Sequence, residues 1–288
     1  MTRSFLASEL DNSRLYAYLS SAVAPRPIAF ASTIDAHGNP NLSPFSFFNV
    51  FSSSPPILVF SPVNRGQDGS QKDTLLNVQE VPEVVINVVN YEMVQQMSLS
   101  STAYPKGINE FVKSGFSAQP SDLVKPFRVA ESPVQFECKV TQILPLGQGG
   151  GAGNLVVCEV VKIHIKENLI DTNGHLKHQQ LDLVSRMGAN WYCRASHAMF
   201  EVPKPLAAMG IGVDQIPKEI RHSHILTGND LGKLATLEKI PDTVSAKQFV
   251  SSLKGFPQAA NTENRHRLAQ EYLDKNEIEN AWKILLAN

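Results

Sequence analysis

Cysteine is scarce in this 288-residue chain. Cys138, Cys158 and Cys193 lie far apart and form no CxxC pair. That pattern argues against a disulfide framework and suits a reducing compartment. Long apolar runs are also missing, since no stretch reaches the roughly 18 residues that a membrane span needs. The N-terminus, MTRSFLASELDNSRLYAYL, is broken by charge before any apolar core develops. It is therefore not expected to be a signal peptide, and a cytoplasmic protein is expected. There is no excess of charge of either sign: the formal net charge is −1 and no basic stripe stands out. The electrostatic footprint of a general nucleic-acid binder is thus absent.

Several catalytic and binding signatures are missing too. There is no Walker A motif and no GxSxG elbow. The loop Gly147-Gln148-Gly149-Gly150-Gly151-Ala152 formally matches GxGxxA. That fingerprint works by setting a helix N-terminus against a pyrophosphate. The residues that follow, NLVVCEVVKIHI, are β-rich, so a flexible hairpin tip is the better reading. His175 and His178 sit three apart in a polar turn with no carboxylate or cysteine pattern beside them, whereas a zinc site needs three or four convergent ligands. His164, inside VVKIHIK, reads as a half-buried strand residue, and no metal is expected.

The residues that are present describe a soluble protein with a substantial core, 42% hydrophobic and 18% charged. Residues 8 to 20 read as a short helix, with Ser8 as N-cap, Asp11 three residues on, and Leu15, Tyr16 and Leu19 on one apolar face. The APRP motif at 24 to 27 ends it, because proline disfavours helical geometry in the preceding residue. From 28 to about 165 the dominant signal is strand: IAFASTI, NLSPFSFFNVF, PPILVF, EVVINVV, VQFECKVTQIL and NLVVCEVVKIHI, separated by turns. Short runs with tight turns indicate an antiparallel barrel or sandwich rather than βαβ units. KDTLLNVQE at 72 to 80 reads as a helix. Beyond about 205 the texture changes, and residues 264 to 287 carry helical periodicity, clearest in the apolar stripe of Ile278, Ala281, Trp282, Leu285 and Leu286. This tail, short of apolar residues, is expected to dock on the barrel or on a partner subunit.

Two stretches carry candidate chemistry. In SPFSFFN, at 43 to 49, aromatics interleaved with hydroxyls and an amide suit a flat conjugated ligand, but on composition alone an ordinary barrel strand is the better reading. Lys72-Asp73-Thr74 puts a cation and a hydroxyl at a helix start, where free N–H groups favour an anion. Arg26 could supply a second cation.

Taken in order, the pieces resemble the flavin reductase-like family of FMN-binding split barrels, which includes flavoredoxins and the reductase components of two-component flavin monooxygenases. The matching segments are PRPIA at 25 to 29 with Ser32 and Thr33, NLSPFSFFN at 41 to 49, SSSPP at 52 to 56 and KDT at 72 to 74. They continue with VINVV at 85 to 89, GINEF at 107 to 111, ESPVQFEC at 131 to 138 and SRMGANWY at 185 to 192. The resemblance covers roughly residues 10 to 195.

It implies a mainly β fold: a six-stranded Greek-key split β-barrel with a short N-terminal helix over 1 to 204, then a helical C-terminal extension over 205 to 288. It further implies a homodimer with one FMN per subunit near the dimer interface. By matched position, Lys72 and Thr74, with Arg26, hold the phosphate, and Asp73 between them counts among the cofactor-binding residues. Ser32, Thr33, Ser46, Phe47, Phe48, Asn49 and Ser61 line the isoalloxazine and ribityl chain. Asn109, Glu110, Phe111, Arg186 and Tyr192 shape the substrate approach. Gly188 matches the family's late motif, whose second glycine is Ala189 here. The implied activity is an NADH- or NADPH-dependent flavin reductase that passes reduced flavin to a partner such as a flavin-dependent monooxygenase. Because the cofactor carries the hydride chemistry, no catalytic side chain is expected. A flavoredoxin-type electron carrier and a flavin-binding module without its own activity are the alternatives.

Overall fold

The computed structural model describes residues 1–204, 209–253 and 261–287. The chain falls into two compact units, Met1–Met199 and Phe200–Asn288. Residue 205, where the extension was expected to begin, lies outside the described residues.

In the first unit, helix α1 (Asn12–Ala22) starts three residues later than Ser8 would place it. Asp11 is itself the cap, accepting from the Arg14 N–H at 2.8 Å, and Ala7–Glu9 forms only a single 3-10 turn. The chain then builds β1 (Ala29–Ile34), β2 (Pro40–Phe45), β3 (Phe48–Ser53) and β4 (Pro56–Phe60). Helix α2 (Asp73–Glu80) leads into β5 (Glu83–Asn87), followed by the short helices α3 (Val94–Leu99) and α4 (Glu110–Ser114). The short strands β6 (Ala118–Gln119) and β7 (Arg128–Val129) precede the long hairpin β8 (Val134–Pro145) and β9 (Asn154–Ile165). Helix α5 (His178–Leu181) and a hairpin of β10 (Val184–Arg186) and β11 (Tyr192–Arg194) complete the unit.

The main sheet has the order β2-β1-β5-β8-β9-β4-β3, with every neighbouring pair antiparallel. It has seven strands, not the expected six, and it is not closed by hydrogen bonds. The run NLSPFSFFNVF, read as one strand, breaks at Ser46-Phe47 into β2 and β3, which occupy opposite edges of the sheet. The three Cα steps from Phe45 to Phe48 reach at most about 11 Å. Seven flat strands would hold their edges roughly 29 Å apart. The sheet therefore rolls until its edges nearly meet, which is the split barrel.

Alternation along β1 shows how the roll is filled. Ala29 and Ala31 join a cluster with Phe45, Phe60, Ile86, Cys138 and Cys158, and α2 adds Leu75 and Val78. Phe30, on the opposite face, joins Leu42, Met93, Met97 and Phe111 under α3 and α4. Burial pushes the Cys138 and Cys158 thiols far up from their ordinary range, so both are inert packing groups. All three cysteines are unpaired. Among the described residues no helix is long and apolar enough to cross a membrane.

The second unit has its own core. It is built from α6 (Lys218–Arg221), α7 (Gly228–Leu234), α8 (Thr243–Ser252), α9 (Thr262–Asp274) and α10 (Ile278–Leu286). The helical tract expected over 264 to 287 is two helices, parted at Asn276, which takes a φ of 61°. Asparagine tolerates that left-handed conformation better than most residues. Ala281, Trp282 and Leu285 are buried with Leu234, Ala269 and Leu273, and the Trp282 indole donates to the Leu234 carbonyl at 2.9 Å. Trp282→Ala should cost the helical unit about 3–5 kcal/mol. Calorimetry and blue-shifted tryptophan emission are the readouts. Because Trp282 lies at the centre of the second unit's core, loss of that emission without a fall in melting temperature would contradict the assignment.

Candidate functional site

Two adjoining recesses share Ser101 and together form a cleft. The smaller, about 90 Å³, is lined by Ser43 from β2, Arg65, Lys72, Asp73 and Thr74 at the start of α2, residues 100 to 104 after α3, and Glu110 on α4. The larger, about 460 Å³, is lined by Ile28, Pro44, Ser46, Gln95, Met97, Ser98, Arg186, Asn190 and Tyr192.

The small recess is an anion cradle by its chemistry. Lys72 is the N-cap residue of α2, so the first-turn N–H groups lie beside its side chain. Burial, and then the charge of Arg65, lower the Lys72 pKa. Its ammonium sits 5.4 Å from the Phe45 ring centre, and among the described residues no carboxylate is paired with it. The nearby carboxylate, Asp73, is taken by Arg65 at 3.2 Å. Arg65 and Lys72 stand side by side, and Lys72, desolvated and without a carboxylate partner among the described residues, is the cation that a bound anion would pair with. Thr74 Oγ1 accepts from Asn41 Nδ2 at 2.8 Å, which fixes the hydroxyl at the rim. Glu110 lies across the recess, its oxygen accepting from the Leu42 N–H at 3.1 Å. Burial raises its pKa; its own and the Leu42 amide oppose that, and the charge of Asp73 adds to it.

The larger recess has a wall of a different kind. The Arg186 guanidinium stacks 4.7 Å from the Tyr192 ring centre, so a cation and an aromatic face stand together at its edge. They are presented by the β10–β11 hairpin, whose turn brings Gly188 against α1: a Cβ there would meet Ser21 Oγ at 2.1 Å. The next residue, Ala189, takes a φ of 49°. That conformation costs a non-glycine residue about 1–2 kcal/mol and explains a glycine preference at this position.

Of the residues singled out from sequence, the cleft gathers Ser46, Lys72, Asp73, Thr74, Glu110, Arg186 and Tyr192. The others stand elsewhere. Arg26 is not in the anion cradle: its guanidinium donates to the Ser20 and Val23 carbonyls at the end of α1 and to the Met187 carbonyl at 3.1 Å. It also reaches Ser46 Oγ at 3.4 Å, so it fastens the helix and hairpin to the cleft's edge. Ser32 and Thr33 are fully buried in β1; Thr33 Oγ1 accepts from Asn77, and Ser32 Oγ has no hydrogen-bond partner among the described residues. Ser61 Oγ accepts from the Asn154 N–H at 3.1 Å, which ties two strands together. Phe48 packs on the barrel core, and Phe111 is buried beneath α3. Asn109 caps α4 by accepting from the Phe111 N–H, and Asn49 is exposed on the edge strand. Phe47 lies beside Arg26 and Tyr16.

Arg65 and the hydroxyls of Ser101 and Thr102 were not singled out from sequence. Arg65 stands seven residues before Lys72 in a glycine-rich turn, NRGQDGSQK, and only the folded loop brings the two together.

Two other polar clusters lie outside the cleft. Asp122, Glu137 and His164 approach within ligand distance of one another. Burial pushes the Glu137 pKa up, but the Asp122 and Leu123 amides and His164 at 2.6 Å outweigh it and hold it lowered. Lys162 pairs with Asp122, so the cluster is internally satisfied. A separate cavity of about 460 Å³ is bordered by Asp182 and Arg194, which are paired with each other at 2.7 Å.

Comparison with known proteins agrees with this geometry. The flavin reductase like domain matches residues 21–180. An uncharacterised protein of Aquifex aeolicus is 34% identical over 191 residues, which is 66% of this chain and 95% of the relative. Nitrilotriacetate monooxygenase component B from Bacillus cereus superposes with a TM-score of 0.66 at 25% identity, over 70% of this chain and 99% of that one. The 2-nitrobenzoate 2-nitroreductase of Pseudomonas fluorescens superposes with a TM-score of 0.64 at 27% identity, over 73% of this chain and the whole of that one. With a family match over more than half its length, on a rolled antiparallel sheet with an anion cradle at one end of its cleft, this chain belongs to the flavin reductase-like domain family.

Proposed function

We propose that the protein is a cytoplasmic, homodimeric, NAD(P)H-dependent flavin oxidoreductase that holds FMN in this cleft. The observation that carries the reading is the unpaired, desolvated Lys72 beside Arg65 at the N-terminus of α2. A terminal phosphate supplies the missing negative charge, and a monophosphate suits a recess of about 90 Å³. Lys72, Arg65, the first-turn amides of α2 and the Thr74 hydroxyl hold it. Ser46, Ser98 and Ser101 border the passage into the larger recess, where Pro44 and Ile28 offer apolar surface to a flat ring.

FMN held by Lys72, Arg65 and Thr74 would supply the hydride-accepting chemistry. The protein's part is to orient the ring, keep one face open and hold the entering nicotinamide. Arg186, Asn190 and Tyr192 stand at the larger recess and are suited to that last task. The nicotinamide enters this cleft because the sequence offers no separate dinucleotide fold. The likeness to component B of a monooxygenase supports delivery of reduced flavin to a flavin-dependent monooxygenase.

A second copy of the chain is supported by apolar surface around the crossing residue Phe47. On α1, Tyr16 and Leu19 are 58% and 55% exposed, and on the edge strand β3, Val50 and Phe51 are 64% and 68% exposed. An apolar edge strand left bare is a liability that burial in a dimer removes.

Purified protein supplied with FMN should show a flavin spectrum that bleaches anaerobically with NADH or NADPH. Bleaching only with a reduced protein donor would establish an electron carrier instead, and no bleaching with either would leave a binding module. Lys72→Ala should weaken FMN binding by roughly 1.5–3 kcal/mol, the loss of one charge-assisted contact. Titration calorimetry checks this, and unchanged affinity would remove Lys72 from the site. Phe51→Asp should turn the dimer into a monomer in light scattering; a wild-type protein that is already monomeric would discard the homodimer.

A further inference from the structure

The glycine-rich hairpin tip between β8 and β9 has no part in the site described so far. Its contacts lead to Arg65. Asn64, the residue before Arg65, donates its N–H to the Ala152 carbonyl at 2.9 Å and accepts from the Gly151 N–H at 3.1 Å. Its side chain donates to the Gly149 carbonyl at 3.2 Å and accepts from Asn154 at 3.0 Å. On the other side of Arg65, the tip presses on backbone. A Cβ at Gly150 would lie 2.8 Å from the Gly66 carbonyl oxygen and 3.1 Å from that of Arg65. The peptide groups on both sides of the Arg65 Cα are thus gripped by the tip.

What that grip positions is a cation. The Arg65 N–H donates to the Ser70 carbonyl at 2.8 Å, and the Arg65 carbonyl accepts from Gly69 at 2.9 Å, which closes the loop. From it the guanidinium reaches the Gln71 carbonyl and, at 3.2 Å, Asp73 beside Lys72. With contact this close, a side chain at position 150 must push the Arg65–Gly66 backbone aside.

We propose that the tip over 147 to 153 is a positioning element for Arg65, and through it sets the preference of the cleft for a phosphorylated flavin over an unphosphorylated one. The inference rests on the phosphate reading of the small recess. No residue of the tip lines either recess. It acts by holding the Arg65 backbone, so its loss is felt at the phosphate and not at the ring.

The test is to measure dissociation constants for FMN and for riboflavin, which lacks the phosphate, by quenching of flavin fluorescence. Gly150→Ala should weaken FMN about tenfold and leave riboflavin within twofold. Gly147→Ala is the control on the same tip, since its Cβ would meet nothing closer than 3.6 Å and should change neither constant. Arg65→Ala should reproduce the Gly150→Ala loss, and the double variant should lose little more, because both act through one side chain. If Gly150→Ala fails to fold, Asn64→Ala removes the side-chain bonds to the tip without adding bulk, with the same expected selectivity. Equal weakening of both flavins, additive losses, or wild-type FMN affinity in both Gly150→Ala and Asn64→Ala would overturn the proposal while leaving the cradle intact. A wild-type protein that does not prefer FMN to riboflavin, or Arg65→Ala and Lys72→Ala variants that bind FMN normally, would remove the phosphate reading itself and the proposal with it.

Discussion

Two residues, Ser46 and Phe47, carry the chain from one edge of a seven-stranded sheet to the other. Everything in the first unit follows from how little length they have. A sheet whose edges must approach within a few residues' reach has to curl, and the curl sets the size of the interior. Small residues such as Ala29 and Ala31 and thiols such as Cys138 and Cys158 fill the space beside Phe45 and Phe60. The crossing also places Ser46 at the wall of the cleft and leaves Phe47 against α1. The same constraint that makes the barrel therefore locates the candidate cleft.

Arg26 holds the pieces at that crossing. One guanidinium serves carbonyls from α1 and from the β10–β11 hairpin and touches Ser46. A cation at a helix C-terminus is favourable in itself, and here it also ties the helix to the hairpin that presents Arg186 and Tyr192. The cleft is thus walled by segments distant in sequence that one buried side chain helps to tie together.

The strands and α2 were legible because their apolar residues alternate or cluster with the expected periods, and Lys72-Asp73-Thr74 was legible because it opens a helix. The break at Ser46-Phe47 was not, because the aromatic and hydroxyl pattern runs through it without a turn residue. Arg65 was invisible for another reason: it belongs to a loop whose course is set by a hairpin tip some 85 residues away, as the Asn64–Gly149 bond shows. Arg26 suits a second cation of an anion site in sequence, where the carbonyls that take its guanidinium are not visible. In the second unit, the stripe around Trp282 was visible. Its partners on α6 and α7 were not, since helices of 4 and 7 residues are too short to display a period.

The placement of sulfur has a consequence for life in air. Peroxide attacks the thiolate, not the thiol, so a cysteine held protonated in an apolar interior is nearly immune. Cys138 and Cys158 are in that condition, which leaves the half-buried Cys193, adjacent to Tyr192, as the chain's one cysteine open to oxidants. The fold thus keeps its core thiols out of peroxide chemistry.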